Sequence, residues 1–555
     1  MVIDYKHVAF SFEYQKRKKR LKKLKIIAMV VVFLLAVFLF QYFQQDKKIK
    51  KIQDLLLNDQ QAEAAELFKT LKNSILHSQT IKELNALINL FNGDVKNAHL
   101  ILNSLEKPKT SISARSFLNH FAEQSKYDEL KIYTDYLINK QESVHFYKAL
   151  YLTAFFKYGE SEKQLGRISS GQRKSLTRAI DLVSDLNSKL KSGKVDYIFD
   201  KNGKPLAHYD LKARKTVSVT PGMHFDEFTP RFEKGIRTYT LSLDLNIQNK
   251  IDRVFKRYRG SMILFKIEDS GILAAFSKSR QPMKSNTVFT AEFEPGSIIK
   301  TLTLFAFYLN PKKNLFPFEC RRAIRLSNQN FPDRIAHGII ENQQYALVVS
   351  CNIAFARMGI AVGFKSLSRV LDSFFFNSKG FRDQFFTFKT GSYNLNISGD
   401  YQLANLAVGL NDITSTTFHS GLIALIIAQN GSINRPYLIK NKKNILNLGF
   451  YNHQPEIVSV FDNNPIFFRI SQAMAEVVEN RLGTGRHSKV QFVKTAIKTG
   501  TAGQKKQGLN SIIIGFFPAA KPEYAFAFIL EGAGKAELNG AYLLKEFLGL
   551  FYEQP

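Results

Sequence analysis

Apolar residues fall at helical spacing along the first third of the chain. Residues 62–74 (AEAAELFKTLKNS) and 92–105 (NGDVKNAHLILNSL) set small and large apolar side chains three and four positions apart. They lie in a polar region over 44–168 with few Gly or Pro residues to interrupt it, so a helical region is expected there. From 169 the pattern changes. ISSGQRKS reads as a polar linker, and DYIFDKNGKPLAHYDL puts an Asn-Gly turn between two apolar runs, the mark of a hairpin, which predicts a small β-rich region over 169–237. TYTLSLDLNIQNKIDRVFKRYRG then reads as a strand passing into an amphipathic helix, and SMILFKIEDSGILAAFS as strands over 262–267 and 272–276 about an Asp-Ser-Gly turn. Three further strands are expected at 493–498, 511–517 and 524–530, before a closing helix over about 541–551. Two strands in front of a long helical middle and three behind it predict an α+β domain over 238–555, with one five-stranded antiparallel sheet flanked by helices.

One apolar run differs in kind. Ile26 to Phe40 is uninterrupted and reaches Phe43 past Gln41, close to the roughly 20 residues that span a bilayer, with Tyr42 and Phe43 suited to an interface. The basic run KRKKRLKKLK precedes it, a flank unusual for a buried core helix. A cleaved signal peptide is the rival reading, but QYFQQDKK offers no small-x-small cleavage site. The expectation is a basic cytoplasmic tail over 1–25 and an uncleaved anchor over 26–43, although Lys47, Lys48, Lys50 and Lys51 weaken the charge asymmetry. The rest of the chain then lies outside the cytoplasm, anchored in a bacterial inner membrane.

Composition adds three points. With 555 residues, 45% of them hydrophobic, the chain has material for more than one packed domain. A net charge of +31 would ordinarily point to nucleic acid, but outside the cytoplasm it meets anionic lipid headgroups or an anionic envelope polymer instead. The two cysteines, Cys320 and Cys351, could pair in that compartment; with no neighbouring ligand set they predict no metal site.

The stretch EPGSIIKT places Ser297 and Lys300 on one face of a helix start, where serine would also serve as an ordinary N-cap. Ser104 to Lys107 and Ser188 to Lys191 share the spacing, so the spacing alone decides nothing. A serine nucleophile needs a base, and Lys300 can be one if burial or a second cation lowers its pKa. That cation is sought in TAIKTGTAG, where Lys498, Thr499, Gly500 and Thr501 would present a cation, hydroxyls and open backbone to an extended peptide with a carboxylate. Lys389-Thr390-Gly391 also matches, but it runs into a polar Ser/Asn-rich stretch with no paired strands after it. Between the two lies Ser350-Cys351-Asn352. Ser350 would relay a proton between Lys300 and a leaving amine, and the Asn352 amide would hold a substrate carbonyl or the lysine. Ser392-Tyr393-Asn394 and Ser432-Ile433-Asn434 fit the same loose pattern, without the flanking apolar helices.

In this order, Ser-x-x-Lys, Ser-x-Asn and Lys-Thr-Gly resemble the active-site signature of penicillin-binding proteins and serine β-lactamases. EPGSIIK, HGIIENQQYALVVSCNIAFARMG, NGSINRP and KTGTAG are similar to segments of the penicillin-binding transpeptidase domain over roughly 241–551, and DKNGKPLA to the region before it in monofunctional, class B members. The resemblance implies acyl transfer on peptidoglycan stem peptides ending in D-Ala-D-Ala, blocked by β-lactam antibiotics and needing no cofactor. Ser297 would be the nucleophile, Lys300 the general base, Ser350 the proton relay and Asn352 its positioner. Lys498, Thr499 and Thr501 would receive the terminal carboxylate, Gly500 would let the substrate approach, and the N–H groups of Ser297 and Thr501 would form the oxyanion hole. Three features depart from the family pattern: Ile298 and Ile299 after the serine, AVGLNDITSTTF without the usual Gly-Gln-Gly, and the absence of Trp. A D,D-carboxypeptidase, a β-lactamase and a catalytically weak scaffold of a cell-wall machine are the rival readings. Residues 92–105 also resemble the latter helix of a tetratricopeptide-type repeat, with Ala98 at the packing position and Leu102 and Leu105 following. No full repeat period can be traced, and the region is read equally as a docking module for other cell-wall or division proteins and as a plain spacer.

Overall fold

The computed structural model describes residues 5–71, 78–105, 114–124, 126–137, 144–229, 236–279, 286–310, 315–326, 328–383, 385–445, 449–459, 465–503 and 508–553. Ser74 and Lys107 of the stretches above lie outside them. The chain forms two compact units, Met1–Ser188 and Lys189–Pro555.

The first unit opens with helix α1 (Tyr5–Leu57), the one described helix long and apolar enough to cross a membrane, with exposed apolar side chains from Ile26 to Phe43. Helices α2 (Gln61–Lys69), α3 (Ser78–Phe91), α4 (Val95–Asn103), α5 (Ala114–Glu123), α6 (Tyr127–Leu137), α7 (Val144–Ala154) and α8 (Tyr158–Gly166) follow. With the end of α1 they make four helical hairpins. Each turn closes in the same way: the N–H groups of Gln60, Asp94, Lys126 and Lys157 donate to the carbonyls of Leu55, Asn89, Phe121 and Leu152, five residues back. The residue before three of these donors, Asp59, Gly93 and Phe156, is left-handed. The pattern recurs about every 32 residues, near a tetratricopeptide period. Ala64, Ala98, Leu130 and Ser161 occupy one equivalent position and are all fully buried, with Phe68, Leu102, Thr134 and Leu165 one turn on.

The stretch ISSGQRKS is not a linker. It enters helix α9 (Ser170–Lys191), whose buried stripe of Ile180, Val183, Asn187 and Leu190 has helical spacing that its polar first turns conceal. Asn187 caps the last hairpin through a buried network: Thr153 Oγ1 donates to Asn187 Oδ1 at 2.8 Å, and Asn187 Nδ2 donates to Ser161 Oγ at 3.1 Å.

The second unit holds two sheets. The expected hairpin is there, β1 (Lys194–Phe199) and β2 (Pro205–Asp210) about Gly203, continued by β3 (Lys215–Ser218). It does not form a separate region ending at 237. Strand β4 (Arg237–Leu241) pairs parallel with β1 and antiparallel with β11 (Ile439–Asn444), which in turn pairs with β12 (Gly449–Asn452). These strands make a six-stranded sheet drawn from distant parts of the chain.

The other sheet is the expected five-stranded antiparallel one. Strands β5 (Gly260–Lys266), β6 (Ile272–Lys278), β13 (Ala496–Ala502), β14 (Asn510–Phe517) and β15 (Tyr524–Leu530) run in the order β13-β14-β15-β5-β6. Both faces are covered, so β5 reads as a continuous apolar run rather than an alternating one. Met262 and Leu264 join the core made with α10 (Leu245–Val254) and the C-terminal helix α15 (Ala541–Tyr552). Ile263 and Phe265 meet helix α14 (Thr417–Ala428), where a Cβ on Gly421 would lie 2.6 Å from Ile263. The sheet order leaves β13 with a single hydrogen-bonded neighbour, and its other edge faces the turn that precedes helix α11 (Lys300–Leu309).

Candidate active site

Ser297 sits in a short 3-10 turn, Gly296–Ile298, that leads into α11. The turn is wedged between two glycines. Gly296 N donates to Gly409 O at 2.8 Å, and a Cβ on Gly409 would fall 2.0 Å from Gly296 O. On the other side a Cβ on Gly500 would meet Pro295 O at 2.9 Å and Ile298 Cγ2 at 3.2 Å. Gly500 therefore lets the serine turn approach β13, a structural reason for the glycine that the sequence reading, which saw only room for substrate, did not include. Ile298 and Ile299, the departures after the serine, are both fully buried.

Two lysines lie under the cleft floor, both fully buried. Lys300 Nζ donates to Ser350 O at 2.8 Å, Asn352 Oδ1 at 2.6 Å and Ser350 Oγ at 3.2 Å. Lys498 Nζ reaches the same hydroxyl from β13 at 3.0 Å and its neighbour's carbonyl, Thr499 O, at 2.8 Å. Burial pulls Lys300 down from 10.5 to about 8, with Asp333 and Cys351 opposing and the Arg334 guanidinium assisting. Burial, and then the charges of Lys300 and Arg334, lower Lys498 as well. Ser350 Oγ is thus held between two lysines for which losing a proton is easier than in water.

The backbone explains how Ser350 gets there. Helix α12 (Gln343–Val348) ends in a tight cap in which Cys351 N donates to Ala346 O at 3.0 Å and Ser350 takes a left-handed φ of 58°. Glycine is usual at that position, and serine costs about 1 kcal/mol more. The kink turns the carbonyl and the hydroxyl of Ser350 toward the lysines. Cys351 then caps helix α13 (Asn352–Val362), accepting from Ala354 N at 3.4 Å.

Ser297, Ser350, Asn352, Thr499 and Thr501 line a cleft of about 250 Å³. Lys300 and Lys498 lie beneath it, and Gly500 faces the serine turn. The structure thus brings all eight expected residues to one place. Among the described residues no hydrogen bond joins Ser297 Oγ to either lysine. The alternative matches lie elsewhere: Gly391 N donates to His419 Nδ1, Ser392 bonds Thr414, and Ser432 lies on a two-stranded ribbon with residues 457–459. The strand expected over 493–498 is shifted: β13 begins only at Ala496 and continues to Ala502, carrying Thr499, Gly500 and Thr501 within the ladder to β14.

Several cleft residues have no motif. Thr499 Oγ1 donates to Thr484 Oγ1 at 2.7 Å, and Arg334 pairs with Glu537. The expectation of no ligand set around the cysteines is corrected. Cys320, Asp333, His337 and Cys351 converge with donor atoms all within 4.8 Å of one another, and both thiols are free. They come from β7 (Phe318–Cys320), from the loop between β9 (Gln329–Pro332), the partner of β8 (Ala323–Leu326), and β10 (Gly338–Ile340), and from the residue before α13, so only the fold unites them. Asp333 Oδ2 also accepts from Asn352 N at 2.7 Å and Ile353 N at 3.3 Å. Burial opposes its charge, yet the His337 hydrogen bond and Lys300 hold its carboxyl down to about 2. Burial and the Asp333 carboxylate push the Cys351 thiol up, a conflict that a bound cation would remove. Two sulfurs, an imidazole and a carboxylate are a donor set that would suit a tetrahedral zinc ion.

The fold is thus of the α+β class, a five-stranded antiparallel sheet with the serine turn at its edge strand and two buried lysines about a second serine. Residues 260–547 match the penicillin binding protein transpeptidase domain, and the chain belongs to that family. Among curated proteins it is 23% identical over 239 residues to peptidoglycan D,D-transpeptidase MrdA of Acinetobacter baumannii, covering 38% of this chain and 34% of that one. The chain thus spans about a third of that relative's length. The transpeptidase domain of an Eggerthella lenta peptidoglycan glycosyltransferase superposes with a TM-score of 0.57 at 18% identity over 65% of this chain and 98% of that one. The penicillin G acyl-enzyme complex of penicillin-binding protein A from Mycobacterium tuberculosis gives 0.55 at 17% identity over 64% and 99%. Pseudomonas aeruginosa PBP2 gives 0.54 at 17% over 64% and 96%. At these identities the superpositions establish the fold.

Proposed function

We propose that the protein is a membrane-anchored D,D-transpeptidase that crosslinks peptidoglycan stem peptides through an acyl-enzyme on Ser297. The observation that carries the reading is the single hydroxyl, Ser350 Oγ, shared by two fully buried lysines beside that serine. Ser297 Oγ attacks the carbonyl of the penultimate D-Ala and gives its proton to neutral Lys300. The oxyanion that forms is held by the N–H groups of Ser297 and Thr501, each worth about 3 kcal/mol in such a site. Ser350 passes a proton from the lysine pair to the leaving D-Ala amine as the peptide bond breaks, and Asn352 keeps Lys300 aimed. Lys498, Thr499 and Thr501 bind the terminal carboxylate, with the peptide lying along the outer edge of β13 as an added strand. An amine of a neighbouring stem peptide then attacks the ester, loses a proton through the same relay and frees Ser297. A zinc ion in the Cys320–Asp333–His337–Cys351 quartet would fix Asp333, and through it the start of α13, without entering the chemistry.

Helix α1, with its exposed apolar run from Ile26 to Phe43, is read as the inner-membrane anchor, with the chain that follows it lying outside the cytoplasm. The hairpin array, which has a buried core of its own, is read as a docking module for other cell-wall proteins rather than a spacer. The test is covalent labelling with a fluorescent penicillin. Wild type takes the label and Ser297→Ala does not; an unlabelled but folded wild type would overturn the reading in favour of a scaffold. Products from a stem peptide with and without an acceptor amine separate a transpeptidase from a carboxypeptidase, and slow release of the label separates both from a β-lactamase.

A further inference from the structure

The cleft holds a charged contact that the acyl-transfer steps do not use. Arg334 Nη1 donates to Glu537 Oε1 at 2.5 Å, with the side chains 44% and 17% exposed, and both residues line the cleft. They hang from opposite walls. Arg334 follows Asp333, whose carboxylate accepts from Arg334 N at 2.7 Å and from the first two N–H groups of α13. Glu537 follows Ala536, whose N–H donates to Thr501 Oγ1 at 3.1 Å. The bridge therefore spans the mouth from the Ser350–Asn352 wall to the β13 wall.

Two considerations bear on what the bridge is for. A partly exposed ion pair contributes only about 0–1 kcal/mol, so Glu537 is an easily exchanged partner. The charge around it is lopsided as well. Lys300, Lys498 and Arg334 lie close enough that the guanidinium weighs on both ammonium groups, whereas Asp333 is already engaged by His337 and three backbone N–H groups. On the reading above the peptide's terminal carboxylate uses Lys498 and its threonines, and among the described residues Glu537 is the carboxylate paired with the guanidinium. Its planar fork suits a carboxylate better than any other common peptide group.

We propose that Arg334 is a specificity residue that exchanges Glu537 for a second carboxylate, one carried by the acyl-donor peptide on the N-terminal side of the bond Ser297 attacks. The proposal rests on the acyl-transfer reading. Glu537 holds the guanidinium in place across the cleft and competes only weakly with a donor that carries such a carboxylate.

The test compares two β-lactams on the full chain in detergent: benzylpenicillin, and carbenicillin, which adds a carboxylate to the acyl side chain. Their acylation rates are read by competition with a fluorescent penicillin. Relative to wild type, the carbenicillin-to-benzylpenicillin ratio should fall about tenfold in Arg334→Gln, recover partly in Arg334→Lys and rise severalfold in Glu537→Gln, where the guanidinium is released. The changes should shrink at high salt. An unchanged ratio in Arg334→Gln, or two rates that fall together, overturns the proposal, the second outcome meaning that Arg334 acts on the lysines rather than on the ligand. A folded wild type that takes no label from the fluorescent penicillin itself overturns the acyl-transfer reading and the proposal with it.

Discussion

Lys300 provides the most direct test of the proposed chemistry. It is fully buried, and burial brings its pKa from 10.5 to about 8. At pH 7.5 a group with that pKa is neutral in about a quarter of molecules, whereas an ordinary lysine is neutral in about one in a thousand, a difference of about 3 kcal/mol in access to the base form. The base must be neutral to take the Ser297 proton, so activity rises with pH. The second-order acylation rate constant should climb about tenfold per pH unit below 8 and level off above it, a total of about 90-fold between pH 6 and 9. Stopped-flow or gel-based labelling with a fluorescent penicillin across pH 5.5–9.5 measures it. Lys300→Arg keeps the charge but cannot lose the proton, and should cut acylation by at least about 10³-fold. Lys300→Met, close in size and uncharged, separates loss of the base from crowding around a buried guanidinium. A flat profile over pH 6–9, or a wild-type profile in Lys300→Arg, would refute the assignment.

Three further outcomes are expected. In Gly500→Ala the new Cβ, 2.9 Å from Pro295 O, should push the Ser297 turn off β13 and lower acylation about 10²-fold with only a small change in Tm; unaltered labelling kinetics would show that the turn is not set by that contact. The Cys-Asp-His-Cys quartet should carry about one equivalent of zinc by elemental analysis, chelation should lower Tm, and Cys320→Ser should abolish the metal; a wild type free of metal after growth with zinc would count against the site. His419 accepts from Gly391 N and bonds Phe374 O, and burial holds its pKa to about 4, below the 6.5 of the unfolded chain. The unfolded state therefore binds the proton first as pH falls, and stability should drop by about 3 kcal/mol between pH 6.5 and 4, with nothing lost above 6.5. His419→Gln should flatten that part of the Tm-versus-pH curve, and an equal slope in both proteins would contradict the argument.

What the sequence disclosed and what it hid follow from how local each signal is. Strands β5, β6, β14 and β15 are legible as short apolar runs, and the Asp244 cap that starts α10 is written next to the helix it caps. Strand β13 was legible only to Lys498, because Thr499, Gly500 and Thr501 have the composition of a turn; seven register pairs with β14 make them strand. The hairpin repeat stayed hidden because its packing position is filled in turn by Ala64, Ala98, Leu130 and Ser161, and its turn residue by Asp59, Gly93 and Phe156. The geometry recurs although the residue types do not. The catalytic motifs can be read without a fold, since each is a few residues long. Their non-local partners cannot: Arg334 and Glu537, Gly500 against Pro295, and the four donors scattered from Cys320 to Cys351 become neighbours only through packing.

The outer edge of β13 has a consequence for the protein in solution. A strand with one side unpaired is a template for any extended backbone, another copy of the same strand included, and most proteins cover or blunt such edges. If the proposed function holds, the edge cannot be blunted, because a peptide has to pair with it over Thr499 to Thr501. The same edge is then the place from which self-association would start, and an acylating inhibitor that occupied it would be expected to keep the protein monodisperse as well as inactive.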